Sequence, residues 1–235
     1  AVEVGGGVLS NGLVRAEIDP LGRVVALGLA GSEMDLCRRA DGRSVPMNQL
    51  VLYEDRPAMW DAWDVDWHYE QTPVPVDGPP DSWRVVPTGP LRGEIEVSRP
   101  LGAASRITQR FILDAQGSRL DVRTTVDWRE DRRLLRVLFP TDILATEATY
   151  DIQFGHLTRP THRNTPWDAA RFEVCAHRWM DLSERGRGLA LLNDCKYGHS
   201  CHEGVLGLSL LRSPKRPDPA ADMGMHEFAY SLVPH

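Results

Sequence analysis

Three tryptophans and four carboxylates fall within twelve residues in Met59-Trp60-Asp61-Ala62-Trp63-Asp64-Val65-Asp66-Trp67-His68-Tyr69-Glu70. Flat aromatics beside acids are the materials of a sugar-binding cleft. Asp61, Asp64, Asp66 and Glu70 are the residue types that serve a glycosidase as acid and nucleophile, provided two of them flank the scissile bond at a fixed separation. Carboxylates clustered in sequence more often form a solvated face, and nothing in the spacing selects a pair. Cys195, His199, Cys201 and His202 pose a metal question. Zinc knuckles present two ligands with two to four residues between them and a matching pair elsewhere. Here four candidates fall within eight residues without a partner pair, which reads as a polar loop. His156, Arg159, His162 and Arg163 lie in FGHLTRPTHRNT, a polar run expected to loop and to cap backbone groups. No nucleophile elbow, phosphate loop or dinucleotide fingerprint is present.

The elements that must position these residues are strands. Leu13 to Ile18 and Val24 to Leu29 flank Asp19-Pro20-Leu21-Gly22, a hairpin signal. Ser105 to Leu113 and Leu120 to Trp128 flank a second one. In the last of these, Leu120, Val122, Thr124, Val126 and Trp128 alternate with Asp121, Arg123, Thr125 and Asp127, the period of a strand with one wet face. Strands are also expected over residues 48–53, 92–98, 134–139, 171–177, 188–192, 205–211 and 226–233. No segment holds a helical apolar stripe for three turns. Trp60, Trp63 and Trp67 have helical spacing, but Asp64 to Trp67 also alternate, so the conformation of this stretch stays open. Thr72 to Pro80 is a proline-rich loop inside one unit, because the same strand character resumes after it. The whole reads as an all-β fold, a large antiparallel β-sandwich forming a single domain over residues 1–235.

Composition narrows the function. The chain has 235 residues, 42% of them hydrophobic, and a net charge of −6. An acidic balance argues against a nucleic-acid or anionic-membrane surface. No apolar run is long enough to span a bilayer. The opening AVEVGGGVLSNG has neither the charged nor the apolar region of a signal peptide, and the absence of an initiator Met points to a processed or excised piece. Four widely spaced cysteines in a chain of this size are expected as buried free thiols of a reducing, cytoplasmic compartment.

A resemblance adds what composition does not. Thr158-Arg159-Pro160-Thr161-His162-Arg163-Asn164-Thr165-Pro166-Trp167-Asp168, then Ala170-Arg171-Phe172-Glu173-Val174, Ala176-His177-Arg178-Trp179, Asp181-Leu182-Ser183-Glu184 and Leu191-Leu192-Asn193-Asp194-Cys195-Lys196-Tyr197-Gly198 resemble the C-terminal region of family-38 glycoside hydrolases. Asp61-Ala62-Trp63-Asp64, Phe154-Gly155 and His226-Glu227-Phe228 fit the same family, in its cytosolic and bacterial α-mannosidase branch. The resemblance implies a galactose mutarotase-like supersandwich that forms part of a retaining exo-α-mannosidase acting on mannose-containing oligosaccharides. It also implies an N-terminal catalytic domain of the same polypeptide as partner, holding the zinc and the nucleophilic Asp. No catalytic residue, zinc ligand or other cofactor site carries over to this chain. The segments that would face the sugar pocket or the domain boundary supply Asp61, Trp63, Asn193, Asp194, Tyr197 and Arg212. The local sequence around Arg212 departs from that of relatives in which an arginine approaches the sugar. MWDAWDVDWHYE is then a wall of the pocket rather than its catalytic pair. Two other classes stay open: a free-standing carbohydrate-binding module and a mutarotase-like epimerase, the latter needing a His acid and a carboxylate base in one cleft.

Overall fold

A computed structural model describes residues 1–32 and 35–235. Nearly all regular structure is antiparallel strand. One sheet has nine strands in the order Gly155–Pro160, Glu147–Ile152, Trp179–Glu184, Arg187–Asn193, Gly224–Pro234, Leu120–Trp128, Ser105–Asp114, Arg92–Leu101 and Ser82–Val86. A second has six, in the order Val174–Cys175, Gly198–His202, Val205–Arg212, Arg133–Pro140, Gln49–Glu54 and Val74–Pro75. The first strands, Glu3–Gly5, Val8–Ser10, Val14–Ile18 and Val24–Leu29, form a four-stranded sheet of their own.

The two large sheets face each other, as period-2 patterning demands when one face of each is apolar. Leu120, Val122, Val126 and Trp128 of one sheet and Leu135, Val137, Phe139, Leu206 and Leu208 of the other belong to one buried cluster. Contacts cross the gap directly. Phe139 and Tyr230 meet edge to face at 5.7 Å, and Trp128 Nε1 donates to the Arg212 carbonyl at 2.9 Å. The Tyr230 hydroxyl donates to Asn48 Oδ1 and accepts from Gln109 Nε2 at 2.7 Å, which pairs these three buried polar side chains with one another. The four-stranded sheet packs into the same cluster through Leu9, Val14, Ala16 and Ile18.

The strand Arg133–Pro140 carries apolar residues on both faces because its outer face is covered too. Val51, Tyr53 and Leu134 meet Tyr69, with Val65, Leu138 and Phe172 at the margin. Tyr69 comes from the short 3-10 helix Trp67–Gln71, so the chain after Gln49–Glu54 folds back over its own sheet.

Several expectations are corrected. The strand expected over residues 171–177 is only Val174–Cys175, because Thr165 and Asp168 form a capping box that starts a one-turn helix at Pro166–Ala169. The expected polar loop around Cys195 to His202 is a strand from Gly198 onward, with His199, Ser200 and Cys201 buried. It is paired to strands on both edges and buries His199 and Ser200, so no wet face survives to betray it. FGHLTRP is likewise the edge strand Gly155–Pro160 rather than a loop. Cys37 and Cys201 are buried thiols as expected, but Cys175 and Cys195 are exposed.

Candidate functional site

The tryptophan segment is held as a rigid loop from behind. Trp60 adopts φ +59°, and its carbonyl accepts from the N–H groups of Trp63 at 2.7 Å and Asp64 at 2.9 Å, closing a tight turn. A bulky residue in the left-handed region stores strain, which the surroundings must over-determine. They do so through Asp61 and Arg212. One Asp61 oxygen pairs with Arg132 Nη1 at 3.0 Å, and the other accepts the N–H groups of Lys215 at 2.7 Å and Arg216 at 2.9 Å. Burial pushes the Asp61 carboxyl up, but the Lys215 N–H, the Arg132 guanidinium and the Arg216 N–H outweigh it and hold it below the usual carboxylate range.

Arg212 ends the strand Val205–Arg212 and grips Asp55 bidentately at 2.7 and 3.1 Å. The remaining hydrogen-bonding capacity of the same guanidinium reaches the carbonyls of Asp61 at 3.1 Å and Asp64 at 2.6 Å. The other acids of the segment are also engaged. Asp66 accepts from the Ala58 N–H, Asp64 from the Val65 N–H, and Glu70 pairs bidentately with Arg163 at 2.7 Å on both oxygens. These carboxylates fix backbone and loops, and no two stand free across a cleft as acid and nucleophile. What the loop presents outward is Met59, Trp60, Trp63 and Trp67, all well exposed, with Trp63 at 72%.

The second group of expected residues is built on the turn after Arg187–Asn193. Asn193 Nδ2 donates to the His177 carbonyl at 3.1 Å, and its Oδ1 accepts from the Lys196 N–H at 2.6 Å. Asp194 Oδ2 accepts from the Ala229 N–H at 3.0 Å. Tyr197 is exposed, edge-on to His177 at 5.7 Å. The structure therefore brings Asp61, Trp63 and Arg212 together, and separately Asn193, Asp194 and Tyr197. Because His199 pairs with Leu208, this turn lies toward the same end of the six-stranded sheet as Arg212.

Between the groups runs a buried relay that sequence reasoning missed. Arg136, on the outer face of its strand, donates to the Tyr69 hydroxyl at 2.6 Å and to Ser200 Oγ at 2.7 Å. The Tyr69 hydroxyl lies 3.3 Å from Glu173, which also accepts from Ser209 Oγ at 2.7 Å. Gly207 leaves room for this network, since a Cβ would fall 2.7 Å from Ser200 Oγ and 2.8 Å from Arg136 Nη2 and displace them. The available signal was a lone Arg inside the apolar run Arg133-Leu134-Leu135-Arg136-Val137-Leu138-Phe139.

The metal question resolves geometrically. Among the described residues, no three of His, Cys, Asp and Glu are grouped to hold an ion. His199 Nδ1 lies 3.1 Å from the Tyr197 carbonyl and Nε2 lies 3.3 Å from Asn193 Nδ2, so a proton on Nδ1 satisfies both contacts. Burial raises the Cys201 thiol to about 12, which makes it a poor ligand. These residues do not fit a zinc ion.

His199 does predict a pH response. Burial lowers it to about 4 from 6.5; the Tyr197 carbonyl opposes the shift, Arg136 reinforces it and Glu173 opposes it. The unfolded chain takes up a proton that folded His199 refuses, so stability falls as pH drops from 6.5 toward 4. At about 1.4 kcal/mol per pH unit, the loss across that window is about 3 kcal/mol. Urea unfolding at several pH values should show this slope, and His199→Gln should flatten it by about one proton.

Comparison with known proteins identifies the class. The sequence profile of the glycosyl hydrolases family 38 C-terminal domain matches residues 9–220. Human alpha-mannosidase 2C1 is 50% identical over 228 residues, covering 97% of this chain and 21% of the human protein. Alpha-mannosidase G of Dictyostelium discoideum is 46% identical over 194 residues, 80% of this chain and 18% of that protein. The crystal structure of an alpha-mannosidase from Enterococcus faecalis V583 superposes on 100% of this chain and 30% of its own, with a TM-score of 0.79 at 12% identity, which shows the shared fold. The chain belongs to the family-38 glycosyl hydrolase C-terminal domain family. It spans about one fifth of the length of these curated relatives.

Proposed function

We propose that residues 1–235 act as one β-sandwich domain at the C-terminal side of an α-mannosidase, an enzyme that removes terminal α-mannose from oligosaccharides. The observation that carries this reading is the family match over residues 9–220 together with 50% identity to a protein named as an α-mannosidase. The domain itself supplies no acid–nucleophile pair, consistent with every carboxylate of the tryptophan segment being engaged in holding the loop. Its role is to pack on the catalytic portion of the same polypeptide and to wall the sugar pocket. Asp61 and Arg212 serve by fixing the loop, Trp63 by presenting its face, and Asn193, Asp194 and Tyr197 by shaping the neighbouring turn. Zinc belongs to the catalytic portion, and hydrolysis there proceeds with retention. Unpaired thiols at all four cysteines support a cytoplasmic location. No helix among the described residues is long and apolar enough to cross a membrane.

One observation favours a second reading, the free-standing sugar-binding module: tryptophans are exposed. Their geometry weakens it, because Trp60 and Trp63 are inclined at 63° and offer no flat platform to a pyranose ring. The expected result for the purified chain is no hydrolysis of an aryl α-mannoside above buffer, with or without added zinc. Turnover that survives repurification would place an active site within these residues. Saturable binding of a mannose oligosaccharide by the chain alone would favour the module.

A further inference from the structure

Among the described residues, Met59, Trp60, Trp63 and Trp67 form the one stretch where large apolar side chains cluster in exposed positions, each 58–72% exposed. Exposed apolar residues scattered singly need no explanation, and Trp167 and Phe154 are of that kind, one on a one-turn helix and one at a hairpin tip. A contiguous group does. Beside the loop opens a cleft lined by Pro57, Met59, Trp60, Trp63 and Pro217, with Asp61, Arg132 and Arg216 as its charged residues. Aromatic residues, Met and Arg are the types enriched at protein interfaces over the rest of the surface. The face is also preorganised. Arg212 grips the loop carbonyls, Asp61 ties the loop to Lys215 and Arg216, and Tyr69, two residues after Trp67, is pinned by Arg136. A surface whose backbone is already fixed loses little freedom on docking.

We infer that this tryptophan face is the seat of the portion of the polypeptide that precedes such a C-terminal domain, with an apolar side chain from that portion entering the cleft between Trp60, Trp63 and Pro217. The inference rests on the reading of the chain as an α-mannosidase domain. The length of chain outside the structure supports this occupant. The human relative carries roughly four-fifths of its length beyond the match, as 21% coverage requires, and the Enterococcus faecalis enzyme carries 70% of its chain beyond a fold that this chain matches completely. A domain joined to so large a neighbour in one polypeptide must bury a face against it or swing freely, and this is the face built for burial.

Hydroxyl-radical footprinting read by mass spectrometry tests it, on this chain and on the full-length polypeptide, with rates normalised to an added tryptophan peptide. The expected result is oxidation of Trp60, Trp63 and Trp67 slowed about tenfold in the full-length protein relative to the chain alone, as burial at an interface core demands. Equal rates in the two samples would overturn the inference. So would protection that appears in the chain alone as concentration rises, with dimers in sedimentation, since the occupant would then be a second copy. Protection of the chain by added mannose oligosaccharide would assign the face to sugar and overturn it as well. Hydrolysis of an aryl α-mannoside by the same full-length sample separates the two readings. Activity with unprotected tryptophans defeats the docking face alone, and protection without activity defeats the proposed function alone.

Discussion

Arg212→Ala is expected to lower the unfolding free energy of the chain by about 3 to 5 kcal/mol, the range for stripping a buried charge of its partner. Asp55 is 2% exposed in its side chain and has Arg212 as its ion-pair partner. Burial raises the Asp55 carboxyl, the hydrogen bonds and charge of Arg212 oppose that rise, and Asp61 and Glu173 add to it. Removing the guanidinium leaves a buried carboxylate that must either ionise without compensation or take up a proton. It also releases the carbonyls of Asp61 and Asp64, and with them the turn at Trp60. Arg212→Lys should recover only part of the loss, because an ammonium is a point donor and the site uses a planar fork. Urea unfolding followed by tryptophan fluorescence gives the number. A loss below about 1 kcal/mol would mean that water screens the pair as it does an exposed one, and that the loop is held by something else.

The second large effect separates two tryptophans that the sequence presents alike. Trp128 has no exposed surface and anchors one sheet to the other through the Arg212 carbonyl. Trp128→Ala should cost about 3 to 5 kcal/mol, through lost transfer energy, a cavity and an orphaned carbonyl. Trp63, 72% exposed, contributes little to the isolated fold, and Trp63→Ala should stay within about 0.5 kcal/mol of the parent chain. Equal losses for the two variants would mean that Trp63 is core after all.

Those two residues also show where the sequence is informative. The strand Leu120–Trp128 is legible to the residue, because one face is apolar and the other wet, and alternation is a direct consequence. Val24–Leu29 is legible for the turn that precedes it. Gly198–His202 is not, because it is paired on both edges and its polar residues are buried. The edge strand Gly155–Pro160 fails for the opposite reason: its first four residues are exposed on both faces, so neither side carries a hydrophobic signal. At the site, the residue types were visible but their employment was not. Asp61 and Arg212 read as groups at the sugar pocket or the domain boundary. What the sequence does not show is that Arg212 reaches 148 to 157 residues back, to the carbonyls of Asp61 and Asp64 and to the Asp55 carboxylate. Spacing along the chain carries no record of that reach. The Arg136, Tyr69 and Glu173 relay was invisible for the same reason, its members coming from three distant elements.

The tryptophan segment is proposed as a wall built for a neighbour and not an engine or a core. Trp63→Ala tests it most directly when two quantities are measured together, the thermal midpoint of the isolated chain and the α-mannosidase activity of the full-length polypeptide. The account predicts an unmoved midpoint and a weakened enzyme. A chain that unfolds outright on Trp63→Ala, or a full-length enzyme indifferent to it, would contradict the account.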